Sequence, residues 1–290
     1  MKKKLLITGS SGMLGSAIVA ELKGRFELFS LDVRPGGEGV SQMLSLDLTD
    51  GSKVVAAIDG LQPDYVINCA ALTNVELCEK EPDKAEAVNA RAAANVARAC
   101  GSKIRLVHIS TAAVFDGKKG NYSEVDQPRP LNAYARTKLA AEDMVKKYAT
   151  DHVIVRTDII GWKQGQYMVQ GLYEQLAGGK PIKGFTNAVF SPISVNSMAN
   201  YLAELLGNEY KGVLHIGSLK PVTKYEFSSR FARAFGLNEA LVVKSEQADA
   251  VVRRPKNTGL DVRKAVGIFG RLPEVEEEIG LLAKTRRAGQ

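Results

Sequence analysis

Cysteine, histidine and tryptophan are scarce in this chain, at three, three and one among 290 residues. The cysteines (Cys69, Cys78, Cys100) are odd in number, scattered and without a C-x-x-C pair. That pattern argues against a disulfide framework or a thiolate metal site and points to reduced thiols in a core. The histidines (His108, His152, His215) lie in or beside apolar strand-like runs and read as structural. No metal is expected. No apolar run reaches the roughly 18 residues of a membrane helix. Met1-Lys2-Lys3-Lys4 imitates the start of a signal peptide, but the apolar stretch behind it stops at Thr8-Gly9, too short for an h-region. The expectation is a cytoplasmic protein with no membrane partner.

A long single-sign charge field is also missing. Lysine and arginine outnumber acids 39 to 32, a formal charge of +7. The cations are dispersed apart from Arg253-Arg254-Pro255-Lys256 and the tail Lys284-Thr285-Arg286-Arg287, and no aromatic stripe accompanies them. Nucleic acid is therefore not an expected partner, the tail reads as a solvated helix end, and an anionic nucleotide accounts for the surplus.

What is present is a long alternation of strand and helix signals, with no internal repeat or low-complexity linker. Strand-like runs fall at 5–8, 27–31, 65–68, 104–110 and 153–156, and helical patterns at 13–22, 54–58, 82–99 and 131–148. Repeated βαβ units predict an α/β protein with a Rossmann-type, doubly wound parallel sheet, which binds ligand at its carboxyl edge. Beyond Arg156 the rhythm loosens. Residues 1–157 are expected to form the domain that carries this sheet and its ligand, with elements from about 191–216 returning to it. Residues 158–290 are expected to form mainly a smaller C-terminal substrate-binding lobe.

Three glycines spaced three apart, Gly9, Gly12 and Gly15, join the first strand to the first helix. Gly9 permits a tight turn, Gly12 lets backbone approach a phosphate, and Gly15 lets helix pack on strand, with the helix N-terminus facing a diphosphate. Ser11, Met13 and Leu14 fall in the same loop. The competing reading is an ordinary glycine-rich turn. Asp32 ends the second strand, where a dinucleotide fold places the acid that bonds the adenosine ribose, which favours NAD. Arg34 lies two residues on and suits the 2′-phosphate of NADP. Dual use stays open, as does a plain turn aspartate before Pro35-Gly36-Gly37.

Tyr134 and Lys138 are four apart on a predicted helix, hence on one face, so the ammonium is expected to lower the phenol's pKa. Thr111 ends a strand at the carboxyl edge, where its hydroxyl can hold a substrate oxygen beside Tyr134. Taken singly, Y-x-x-x-K is most often a solvated pair. In a βαβ series behind a glycine turn and a strand-end Ser-Thr, it reads as catalytic.

With these residues in place the chain resembles an extended short-chain dehydrogenase/reductase, and within that group the dTDP-4-dehydrorhamnose reductase family of sugar-nucleotide enzymes. The similarity runs through residues 8–15, 47–50, 68–76, Val88-Asn89, Ser110-Thr111, 114–117, Tyr134 with Lys138, 155–157, 254–258 and Leu260-Asp261. The resemblance implies a catalytic set of Thr111, Tyr134 and Lys138, adenine contacts from Asp47 and Leu48, and a cofactor wall at Ala70 and Ala71. It implies substrate contacts from Thr73, Phe115 and Arg254, with Arg254, the arginine before proline, at the sugar nucleotide's diphosphate; a solvated basic loop is the alternative there. NAD or NADP would be the cofactor, NAD favoured, and a nucleotide-linked 4-keto-6-deoxysugar the substrate, with Tyr134 as general acid. A homodimer is an open option.

Departures leave other readings. The family usually carries Asp-Tyr where this chain has Ala112-Ala113, and a tryptophan where it reads Arg156-Thr157-Asp158-Ile159. Ala112-Ala113 cannot do the acid/base work of a dehydratase. Epimerisation through a transient 4-ketose, or a catalytically silent NAD(P)-binding regulatory subunit similar to the beta subunit of methionine adenosyltransferase, are the alternatives to reduction.

Overall fold

A computed structural model of the chain describes residues 2–34, 39–162, 168–248 and 251–288. Six strands appear in its first half: β1 (Lys4–Thr8), β2 (Glu27–Asp32), β3 (Gln42–Ser45), β4 (Tyr65–Asn68), β5 (Arg105–Ile109) and β6 (His152–Arg156). With the later strand Gly212–His215 they form one seven-stranded sheet, ordered Gly212–His215, β6, β5, β4, β1, β2, β3. Every pairing in it is parallel. Strand order reverses between β1 and β4, and an open α/β sheet takes its ligand in the crevice outside the carboxyl ends at such a point.

The strands read as apolar runs because both faces are covered. On β1, Leu5 and Ile7 enter a core with Ile18, Leu22, Val107, Met198 and Leu202. Leu6 points the other way, into a core with Val54, Ile58, Val66, Val96 and Leu106. Helix α1 (Met13–Leu22) packs against the helix Val195–Leu206 on the first side. Helix α2 (Gly51–Leu61) packs against the helix Ala92–Cys100 on the second. A third apolar cluster gathers Val169, Leu172, Phe190, Phe227, Phe231 and Ile279 from the C-terminal half. Three short two-stranded pairings accompany it: Asp158–Ile160 with Pro192–Ser194, Val222–Thr223 with Val189–Phe190, and Val242–Ser245 with Ile182–Phe185.

Two local features differ from the sequence reading. The helical stretch from Pro82 to Cys100 carries a π-helical segment at Glu86–Arg91, which turns Asn89 inward. In the basic tail, Arg286 stacks on the Tyr173 ring at 3.6 Å and near Trp162 at 4.9 Å, so its guanidinium is seated on aromatic faces rather than freely solvated.

Candidate active site

The glycine loop is shaped by contacts that leave no room for side chains. Gly9 has φ +67°, and a Cβ there would lie 2.8 Å from the Ala70 backbone. At Gly15 a Cβ would lie 2.2 Å from the Gly9 carbonyl oxygen. Helix α1 therefore sits directly on the turn, and Gly12, at its N-cap, has no side-chain capping bond. This is a bare backbone cradle at a helix N-terminus, suited to a pyrophosphate. It opens into a cavity of about 800 Å³ whose wall includes Gly9, Gly12, Met13, Leu14, Gly15, Arg34, Ala71, Thr73, Thr111, Tyr134, Lys138 and Arg254. The cradle suits a dinucleotide, and the same cavity continues past it to Thr111 and Tyr134.

Thr111, Tyr134 and Lys138 meet on this wall. The helix Ala133–Tyr148 starts at Asn132, whose Oδ1 accepts Ala135 N–H at 2.9 Å, while Glu79 Oε2 accepts Ala133 N–H at 2.7 Å. Thr111 Oγ1 accepts Ala113 N–H at 3.1 Å and lines the same cavity wall as the Tyr134 phenol. Lys138 is buried and donates to the Ile109 carbonyl at 2.6 Å. Burial pushes the phenol up to about 12, against a lowering by Thr111. Burial also pulls Lys138 down to about 8, partly opposed by Glu142 and Cys69. The expected lowering of the phenol by Lys138 is thus corrected: the ammonium is spent on the Ile109 carbonyl, and desolvation governs Tyr134.

Beneath this group lies a buried network absent from the sequence reading. Glu142 Oε1 accepts Ser110 Oγ at 2.6 Å and Arg156 Nε at 2.9 Å, and its Oε2 accepts Arg156 Nη2 at 2.7 Å. It ties the ends of β5 and β6 to the helix bearing Tyr134. Asn89 binds both the N–H and the carbonyl of Leu72 and donates to Thr137 at 3.0 Å, linking the cofactor loop to the same helix. Asn89, Ser110 and Arg156 fall in stretches that carry the family resemblance, but nothing local in the sequence joins them to Glu142, Thr137 or Leu72.

Several expected contacts are placed elsewhere. Phe115 is wholly buried, stacked on Tyr122 at 4.1 Å and edge-on to His215, so it builds the core instead of touching substrate. Asp32 is buried; its Oδ2 accepts Ser11 N–H at 2.9 Å and Ser11 Oγ at 2.7 Å, and its Oδ1 accepts Arg34 N–H at 3.1 Å. Its carboxylate holds the glycine loop, while Arg34 lines the cavity. Asp47 closes its own turn by accepting Thr49 N–H, Leu48 packs in the core, and Ala70 lies behind the cavity wall. Two wall residues were not singled out by sequence. Asp158 is pushed up to about 6 by burial, and Lys224 down to about 8 by the same cause.

Fold, cradle and the Thr-Tyr-Lys group together define an extended short-chain dehydrogenase/reductase. Residues 3–286 match the family described as RmlD substrate binding domain, and the chain belongs to that family. It is 31% identical over 287 residues to the probable low-salt glycan biosynthesis reductase Agl14 of Haloferax volcanii, covering 95% of this chain and 96% of that protein. It is 29% identical to the methionine adenosyltransferase 2 subunit beta of Danio rerio, over 89% of this chain and 83% of that one. Among solved structures, dTDP-4-dehydrorhamnose reductase from Bacillus anthracis in complex with NADP superposes with a TM-score of 0.86 at 28% identity, covering 97% of this chain and 98% of that one.

Proposed function

We propose that this chain is an NAD(P)H-dependent reductase of a nucleotide-linked 4-keto-6-deoxysugar, acting in the cytoplasm. The observation that carries the reading is the convergence of Thr111, Tyr134 and, one helical turn on, buried Lys138 on the wall of the cavity into which the glycine cradle opens. Similarity to a reductase crystallised with NADP supports it. In this reading residues 1–157, with support from about 191–216, hold the cofactor, and residues 158–290 mainly cover the sugar.

Gly9, Gly12 and the α1 N-terminus would hold the pyrophosphate, Arg34 the adenosine end and Lys138 the nicotinamide ribose. A reduced nicotinamide supplies hydride when bound. Tyr134, neutral at pH 7 because its pKa lies near 12, is in the state needed to give a proton to a carbonyl oxygen as negative charge develops there. Thr111 Oγ would hydrogen bond the same oxygen, and the Lys138 ammonium adds positive potential from a buried position. Thr73 and Arg254 line the wall toward the sugar nucleotide, with the Arg254 fork suited to a diphosphate.

A regulatory, non-catalytic role is the second reading, favoured by Ala112-Ala113 and by the likeness to the methionine adenosyltransferase beta subunit. NADPH or NADH oxidation with a panel of dTDP-, UDP- and GDP-linked 4-keto sugars tests the two. Turnover with any member supports the reductase. Tight cofactor binding with no turnover across the panel supports the silent subunit.

A further inference from the structure

On the wall of the cavity that Tyr134 also lines, Asp158 and Lys224 present opposite charges that are not bonded to each other. Asp158 opens the short strand Asp158–Ile160, and Lys224 opens the helix Lys224–Ala234 behind its N-cap Thr223. Both line the cavity. Asp158 Oδ2 accepts Ser191 N–H at 3.2 Å and Thr258 Oγ1 at 3.4 Å, while Oδ1 accepts from no described protein group. Lys224 Nζ lies 3.0 Å from Met168 Sδ and 3.4 Å from the centre of the Phe190 ring, and no described carboxylate reaches it within 4 Å. A thioether and a ring face are weak partners for an ammonium with three donors.

Each of these groups nevertheless feels the other's charge, and Asp158 also acts on the Tyr134 phenol. Lys224 sits on the Phe190 ring and Asp158 accepts from the N–H of the next residue, Ser191, so an unused acceptor and unused donors lie close together on the cavity wall that also holds Tyr134. A phosphate or carboxylate there would be repelled by Asp158, and a cation by Lys224. An apolar group would leave both charges desolvated and unpaired. A hydroxyl satisfies both, donating to the carboxylate and accepting from the ammonium. Arg254, the other cation acting on Lys224, is half-exposed and bonded to Glu76 at 2.5 Å, a weak surface pair that leaves its fork available to a diphosphate.

We propose that Asp158 and Lys224 together bind a ring hydroxyl on the carbon next to the substrate carbonyl, and so select keto sugars that keep this hydroxyl over their deoxy counterparts. The inference rests on the reading of the cavity as a sugar-nucleotide site. It makes the two residues a specificity device beyond the Thr111, Tyr134 and Lys138 group, contributed by the half of the chain that follows β6.

A substrate-by-variant cycle tests it, with dTDP-4-dehydro-L-rhamnose and its 3-deoxy counterpart as probes for the wild type, Asp158→Ala and Lys224→Met. The wild type should prefer the hydroxylated sugar by about 10- to 100-fold in kcat/KM, as charge-assisted hydrogen bonds would give. In either variant the preference should shrink to within about threefold, with the deoxy sugar handled nearly as in the wild type and NADPH affinity unchanged. Should Asp158→Ala fail to fold, Lys224→Met carries the test alone. Full discrimination in a folded variant, or equal use of both sugars by the wild type, overturns the proposal. If neither sugar is turned over, the reductase reading has failed. The same cycle is then run on the dissociation constants of the two compounds, where a wild-type preference lost in the variants supports the pairing and equal constants overturn it.

Discussion

At the residue scale the chemistry turns on protonation states that burial imposes. Lys138, whose usual value is 10.5, is drawn down to about 8, whereas Tyr134 stays protonated until about 12. For reduction, both groups are in the proton-bearing form below pH 8, and Lys138 loses its charge first as pH rises. The kcat/KM profile for reduction should therefore fall on the alkaline side through a limb near 8, which Lys224→Met retains where Lys138 carries it, and on the acid side through Asp158 near 6, reporting the free enzyme. A limb appearing only near 12 would assign no role to the Lys138 charge. Arg34 gives a second outcome at this scale. With Asp32 bonded to Ser11 and Arg34 on the cavity wall, Arg34→Ala should weaken NADPH binding about tenfold, or ~1.4 kcal/mol, and NADH binding by less than about threefold. Equal losses for both cofactors would place Arg34 away from the 2′-phosphate. The Tyr134/Lys138 spacing was legible because a helix converts four positions into one face. The orientation of Asp32 was not legible, since a strand-end carboxylate serves a ribose or a neighbouring serine equally well, and only the fold of the glycine loop decides.

At the element scale, the turn from β1 into α1 depends on missing side chains. Gly15→Ala would drive a methyl group against the Gly9 carbonyl and the Ser10 Cα, both backbone, so something in the cradle must shift. It should lower stability by roughly 1–3 kcal/mol and NADPH affinity more than tenfold. Gly60 in α2 is the contrast, because nothing lies within 4 Å of a Cβ there. Gly60→Ala should raise stability by about 0.5–1 kcal/mol and leave NADPH binding alone. Chemical denaturation with a cofactor titration reads both, and a harmless Gly15→Ala would refute the packing argument. The first-half strands were readable because a sheet covered on both faces writes continuous apolar runs. β3 was not, with Gln42 and Ser45 exposed at the sheet edge. Nor was the π-helical segment at Glu86–Arg91, whose Asn89 bonds join residues far apart in sequence.

At the scale of the whole molecule, the cavity is walled by both halves of the chain. Arg254 comes from the second half and pairs with Glu76 of the first, with both side chains about half exposed (49% and 62%). An exposed pair of this kind contributes little to stability, so Arg254→Ala should unfold within about 0.5 kcal/mol of the wild type. The same variant should raise the KM for the sugar nucleotide roughly tenfold, as expected for a lost charge-assisted bond, with NADPH affinity unchanged. A parallel loss of stability and cofactor binding would make Arg254 a strut between the halves. Gly212–His215, which joins the sheet beside β6, falls in the stretch expected to return to the first domain, whereas the placing of Asp158 and Lys224 on one cavity wall is a long-range event that no window of sequence encodes.

The central claim is that Tyr134 gives the proton in a carbonyl reduction. Its most direct test is the rate of NADPH oxidation by Tyr134→Phe under saturating dTDP-4-dehydro-L-rhamnose, with NADPH binding measured on the same preparation. The account predicts turnover by the wild type and a loss of roughly 10²- to 10⁴-fold in the variant at unchanged NADPH affinity. A Tyr134→Phe protein that turns over at the wild-type rate would contradict it.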